Sequence, residues 1–299
     1  MSSSWKRVAA QVGAQISAAT GVPFAAETAA AVRGGCINEA YRIEGGGRRF
    51  FIKLNRVGSL AMFEAEAAGL REILDSCTLR VPAPVCWGES PCGSWLVLEY
   101  LEMACASGDA AALGRGLAAM HRTVAREFGW ARDNTIGGTP QPNRPTSAWA
   151  VFWREQRLAH QLQLAWRNGH EASLQARGEQ LLERLDAFFA GTEPVASLLH
   201  GDLWSGNHGY DVAGRPLLFD PAVYYGDRET DLAMTELFGG FPATFYAAYR
   251  EAYPLDQGYA VRKILYNLYH VLNHLNLFGG GYLQQARRMM EQLLAETRG

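Results

Sequence analysis

The chain has 299 residues, 28 Lys and Arg against 30 Asp and Glu, a net charge of −2 and 48% hydrophobic residues. That length can build a sizeable core in one or two domains, and the absence of a basic block argues against nucleic acid as the main partner. No apolar run reaches membrane-spanning length, the first residues do not lead into a signal-peptide core, and the five cysteines form no C-x-x-C pair. Reduced thiols in a cytoplasmic protein with no membrane partner are the expectation.

In chain order, the first hundred residues read as a helix, several strands and one inserted helix. Arg33-Gly34-Gly35-Cys36-Ile37-Asn38 leads into a strand, Gly45-Gly46-Gly47 makes a hairpin turn, and Arg49-Phe50-Phe51-Ile52-Lys53-Leu54 returns. Glycines let backbone N–H groups approach an anion, so Gly34, Gly35, Cys36 and Asn38 are candidates for a triphosphate loop, although no Walker A pattern is present. Lys53 sits among apolar strand formers, where a lysine either faces solvent on an edge or has an ionic task; pairing with α- and β-phosphates is the expected one. The pattern over 60–74 predicts a helix on which Glu66, three after Phe63 and four before Leu70, shares their face and can pair with Lys53. Glu64 competes for that place. Trp95-Leu96-Val97-Leu98-Glu99-Tyr100-Leu101 is an apolar strand running into a linker, and by element order backbone groups of Glu99, Tyr100 and Leu101 are assigned to an adenine edge.

Beyond residue 110 helices dominate, expected over 111–121, 148–167, 171–190, 231–249, 259–278 and 282–297. A proline-rich loop at 137–145 reads as either a spacer or a substrate-side lid. The segment Leu199-His200-Gly201-Asp202-Leu203-Trp204-Ser205-Gly206-Asn207, with Leu217-Leu218-Phe219-Asp220-Pro221 after it, carries most of the chemistry. Asp202 can accept a hydroxyl proton, while Asn207 and Asp220, hard oxygen donors five and thirteen residues along the chain from the one before, can hold Mg²⁺ on a nucleoside triphosphate. Turn formers in an ordinary hairpin would use the same letters. The apolar frame and the upstream order of glycine loop, lysine and helix glutamate favour phosphoryl transfer. The expected fold is α+β and bilobal: a sheet lobe over 1–101 that binds nucleotide, and a mainly helical lobe over 102–299 that carries catalysis and substrate.

HGDLWSGN, followed by FDPAVYYGDRETDLAM and NHLNLFGGGY, resembles the fructosamine kinase (ketosamine-3-kinase) family of the protein-kinase-like superfold, which also holds aminoglycoside and choline kinases. The likeness runs over essentially the whole chain. HGD-x4-N marks only the superfold; Trp204, Asp220-Pro221-Ala222 and the run from Tyr225 to Met234 are the specific parts. The resemblance implies ATP- and Mg²⁺-dependent phosphorylation of the C3 hydroxyl of a fructosyl or ribulosyl amine, free or protein-linked, after which the 3-phosphate eliminates and frees the amine. It assigns Asp202 as catalytic base, Asn207 and Asp220 as Mg²⁺ ligands, Lys53 as phosphate clamp and Glu66 as its partner.

Trp204, two residues after the base, suits stacking on a sugar or its cationic amine, although a core role is the other reading. His274 completes that pocket only by the family pattern. Asp231 is expected to open a helix and support the catalytic loop. Cys36 is either a small filler or an oxidation-sensitive thiol, so the protein is expected as a monomer or as a dimer linked through oxidised Cys36. Two other functions stay open: a kinase of the aminoglycoside or choline type, and a non-catalytic nucleotide-binding protein.

Overall fold

The computed structural model describes residues 3–32, 37–104 and 108–297. They fall into two compact units, Met1–Asp109 with Gly206–Pro221, and Ala110–Ser205 with Ala222–Gly299. The first unit begins with helix α1 (Ser3–Thr20), then strands β1 (Thr28–Ala31), β2 (Glu39–Gly45) and β3 (Arg48–Asn55), helix α2 (Leu60–Asp75), and strands β4 (Pro84–Ser90) and β5 (Gly93–Glu99). The strands form one antiparallel sheet in the order β1-β2-β3-β5-β4. Gly46 and Gly47 both take positive φ, +55° and +72°, which is the primed turn that a tight β2–β3 hairpin needs.

Two periodicities decide which residues go where. Along β3 side chains alternate, so Phe50, Ile52 and Leu54 join Trp5, Val8, Val12 and Ile16 of α1 in one core. Phe51 and Lys53 therefore face the opposite side. α2 buries Phe63, Ala67, Leu70 and Ile73 and packs on β4 and β5, so it covers that opposite face.

The second unit opens with α3 (Ala110–Met120), the short hairpin β6 (Asn134–Ile136) and β7 (Thr139–Gln141), and α4 (Trp149–Phe152). A π-helical stretch, Trp153–Ala159, follows and runs into α5 (His160–Arg167) and α6 (Ala172–Glu183). Strand β8 (Ser197–Leu199) leads to the His200-Gly201-Asp202 segment. The hairpin β9 (His208–Tyr210) and β10 (Pro216–Leu218) belongs to the first unit, where the Leu218 amide donates to the Arg80 carbonyl. The second unit resumes with β11 (Tyr224–Gly226), α7 (Glu229–Leu237), α8 (Ala243–Ala252), α9 (Tyr259–Phe278) and α10 (Leu283–Glu296). β11 pairs antiparallel with β8, and α9 packs against α5, α7 and α10.

Two expectations change here. The helix expected over 231–249 is two helices, because Gly239 and Gly240 take φ +91° and +75° and Pro242 caps α8; neither conformation continues a helix. The loop at 137–145 is in part a strand, Thr139–Gln141 pairing with Asn134–Ile136. The antiparallel sheet and helical body are those of the protein-kinase-like fold.

Candidate functional site

The first unit gathers charge around one lysine. Lys53 is only 5% exposed. Its Nζ donates to Glu66 Oε1 of α2 and to Asp220 Oδ1, each at 2.5 Å. Burial by itself would lower the Lys53 pKa, but Asp220 and then Glu66 outweigh it and hold the ammonium well above the ordinary lysine range. Burial in turn pushes the Glu66 carboxyl up against the pull of that ammonium. Glu64 does not take part in this pair.

Asn207 and Asp220 are thirteen residues apart in sequence, and the β9–β10 hairpin closes that gap. Its register pairs His208 with Leu218, and the next rung is the Phe219 amide donating to the Asn207 carbonyl. Asp220 follows directly and leaves the ladder in the left-handed region, φ +57°. Aspartate tolerates that region better than most residues, at a cost of order 1–3 kcal/mol. The turn carries its carboxylate, with 43% of the side chain exposed, to Lys53. Asn207 is buried. Among the described residues no cluster of three or more His, Cys, Asp or Glu could hold a metal ion. An amide and a carboxylate flanking one hairpin are donor types that suit Mg²⁺, which takes few protein ligands and shares phosphate oxygens and waters.

The residues assigned to the adenine edge lie at the end of β5. The Glu99 amide is already taken by the Ala83 carbonyl at 2.8 Å, and its carboxylate pairs with Arg80. Tyr100 and Leu101 follow the sheet's end, and the Tyr100 ring packs under the Arg49 guanidinium, 5.1 Å from its centroid. Gly34, Gly35 and Cys36 lie outside the described residues. Asn38, at the edge of that loop, accepts from Asn55 Nδ2 at 2.7 Å, tying the start of β2 to the end of β3.

In the second unit β8 delivers His200, Gly201 and Asp202. Gly201 has φ +82°, and a Cβ there would meet the Ala222 carbonyl oxygen at 2.1 Å, so glycine is required. Asp231, on the first turn of α7, accepts the His200 amide at 2.7 Å and the Gly201 amide at 2.8 Å, one on each carboxylate oxygen. His121 Nε2 lies 3.1 Å from the same carboxylate, and His121 Nδ1 lies 2.8 Å from the Tyr249 hydroxyl. Burial would raise the Asp231 carboxyl, but His121 and the loop amides hold it below the ordinary aspartate range. The Ala222 amide donates to the His200 carbonyl at 2.8 Å, fixing the loop from its other side.

Trp204, two residues after Asp202, is 39% exposed. His274 is half-buried on α9, where its Nδ1 donates to the His270 carbonyl at 2.8 Å. The Phe238, Tyr282 and Phe278 rings stand 4.9, 5.1 and 5.5 Å from its own. Burial lowers the His274 pKa, so the ring is neutral and Nε2 is left as an acceptor. The sequence reading had no signal for His121, whose role depends wholly on distant residues.

This architecture is that of protein-kinase-like phosphotransferases. An aminoglycoside phosphotransferase structure matches all of the chain and 99% of its own length with a TM-score of 0.67; at 16% identity, that likeness speaks to the fold alone. A fructosamine-3-kinase candidate from Haemophilus somnus matches 97% of the chain and 99% of its own, with a TM-score of 0.88 and 27% identity. The chain is 48% identical to a probable ketoamine kinase of Synechocystis, over 95% of this chain and 96% of the relative. It is 42% identical to the chloroplastic protein-ribulosamine 3-kinase of Arabidopsis thaliana, over 88% and 81%. The fructosamine kinase family model matches residues 8–296, and the chain belongs to that family. It is therefore an ATP-dependent phosphotransferase. No helix among the described residues is long and apolar enough to cross a membrane.

Proposed function

We propose that this chain transfers the γ-phosphoryl group of ATP to the C3 hydroxyl of a ketosamine, a fructosyl or ribulosyl amine. The observation that carries the reading is the buried Lys53 held between Glu66 and Asp220, with family membership behind it. Lys53 steadies the α- and β-phosphates, and Glu66 keeps its ammonium in place. The linker after β5, at Tyr100 and Leu101, takes the adenine edge; the Glu99 amide is spent on Ala83. Asn207 and Asp220 are the residues that would hold Mg²⁺, which when bound offsets triphosphate charge. Asp202 accepts the proton of the sugar hydroxyl, on a loop whose backbone is fixed by Asp231 and Ala222.

Trp204 and His274 take the sugar and its amine: an exposed indole offers a face to a cation, and the neutral imidazole offers an acceptor to a hydroxyl. The phosphorylated product then loses inorganic phosphate by elimination, and water hydrolyses the resulting imine to a 3-deoxy dicarbonyl sugar and the free amine. A cytoplasmic setting fits the free thiols of Cys77, Cys86 and Cys92, and oxidation at Cys36 would link two copies of an otherwise monomeric enzyme. Incubation with fructosyl-lysine and ribulosyl-lysine plus Mg-ATP tests the reading. A phosphorylated sugar detected by mass supports it, and ATP turnover only with aminoglycosides or choline would replace it.

A further inference from the structure

The proline-rich stretch at 137–145 is tied into the interior of the second unit by side chains that the reading above leaves unused. Arg157, on the π-helical stretch, is fully buried. Its partners are neutral oxygens: Pro142 O at 2.6 Å, Gln156 O at 3.1 Å and Asn143 Oδ1 at 2.7 Å. Its guanidinium also lies over the Tyr224 ring, 4.1 Å from the centroid, and over Phe152 at 4.5 Å. Holding a buried cation with neutral groups alone is costly. Mid-helix π turns are also frequent at functional sites.

The network continues from Arg157 toward the catalytic loop. Asn143 Nδ2 donates to Asn134 Oδ1 at 2.8 Å, and Gln141 Nε2 donates to the same oxygen at 2.9 Å. Gln141 Nε2 also reaches the Ala222 carbonyl at 3.1 Å, while Asn134 Nδ2 donates to the Val223 carbonyl at 2.8 Å. The Tyr269 hydroxyl donates to Gln141 Oε1 at 2.6 Å and so sets which way the amide points. Ala222 is the residue whose amide holds the His200 carbonyl and whose own carbonyl sits against Gly201.

We propose that Gln141 and Arg157 are positioning residues for the Asp202 loop, acting through Ala222 and Val223 on the backbone of His200 and Gly201. Asp231 fixes the amides of that loop, and the β6–β7 hairpin fixes the Ala222-Val223 segment, just before β11, that holds its carbonyl. The proposal rests on Asp202 being the base. A displacement of the base well below an ångström would show in turnover before it showed in nucleotide binding, which draws on residues of the other unit.

The test is steady-state kinetics with ketosamine and ATP, normalised to the folded fraction, on Gln141→Leu, Tyr269→Phe, Arg157→Met and Arg157→Lys beside Asp202→Asn. Gln141→Leu is expected to lower kcat about tenfold and Tyr269→Phe about threefold, with KM for ATP unchanged. Arg157→Lys, which keeps the cation, should recover much of the kcat lost in Arg157→Met. If the network is only a stability element, all four variants melt earlier but keep the parental kcat per folded molecule; that result overturns the proposal. A rise in KM for ATP matching the fall in kcat overturns it too. Should Gln141→Leu fail to fold, Tyr269→Phe, which removes one hydroxyl, decides alone. If Asp202→Asn keeps full turnover, it is the assignment of the base that fails.

Discussion

The two units hold their functional charges in opposite ways. The first places a cation between two carboxylates, Lys53 between Glu66 and Asp220, with direct side-chain ion pairs and an aspartate in a left-handed turn. The second anchors its loop by the backbone: the His200 and Gly201 amides donate to the Asp231 carboxylate, and the His200 carbonyl accepts from the Ala222 amide. Under the proposed roles, the difference follows from what each must do. A group that grips a multiply charged ligand has to offer its charge directly and exchange partners when the ligand arrives. A base that must sit at one place is better served by a rigid backbone whose supports never touch substrate.

The largest expected effects come from breaking buried ion pairs, one in each unit. Lys53→Met leaves Glu66 buried beside Asp220 without a cation and is expected to cost about 3–5 kcal/mol in denaturant unfolding, together with nucleotide binding. Arg262→Met does the same to Glu229, whose carboxylate takes both Arg262 Nε at 2.7 Å and Nη2 at 2.9 Å, but should leave nucleotide affinity of the folded protein intact. Equal loss of nucleotide affinity in both variants would erase the distinction between the units.

Asp202→Asn sharpens the comparison on the side of chemistry. Turnover should fall by about two orders of magnitude or more while ATP binding, measured by calorimetry, stays near parental. A loss of ATP affinity as large as the loss of turnover would mean that Asp202 serves the nucleotide instead.

The pH dependence of stability should be set by the second unit. Burial drives the His270 pKa down to about 3, below the ordinary histidine value of about 6.5. The folded state then resists a proton that the unfolded chain accepts, so its stability is fully present above about pH 6.5 and is lost as pH falls toward the folded value. Asp231, also depressed, adds a loss at lower pH, below the ordinary aspartate range. Glu229, whose buried carboxyl is pushed up to about 7, takes up a proton in the folded state over the same range and works in the opposite direction. His270→Phe should therefore raise urea midpoints at pH 4.5 relative to pH 6.5, and an unchanged slope in that window would show that His270 does not contribute. The smallest effect belongs to a surface pair of the first unit. Arg80→Ala, which removes the partner of the Glu99 carboxylate, should change stability by no more than about 1 kcal/mol, since both side chains are partly in solvent.

Much of the first unit's site was legible in the sequence because it rests on local periodicity. Strand alternation alone sends Lys53 to the face opposite Phe50, Ile52 and Leu54, and helical spacing alone puts Glu66 rather than Glu64 on the inner side of α2. The break at Gly239-Gly240 was also written locally, and the apolar run on either side hid it. Other features depend on residues far apart in the chain. His121 meets Asp231 across 110 positions, and Tyr269 meets Gln141 across 128. No spacing rule connects such pairs.

The sequence by itself determined the order of the first unit's helices and strands, the faces taken by Lys53 and Glu66, and the spacing of Asp202, Asn207 and Asp220, because these follow from periods of two and 3.6 residues and from the chain's own numbering. Only the tertiary structure decided that Asp220 turns back to Lys53, that the Glu99 amide is already engaged, and that the proline-rich hairpin reaches Ala222 and Val223 beside the Asp202 loop. Those outcomes depend on which buried polar groups find partners once the chain is packed, and that is settled by contacts between distant segments.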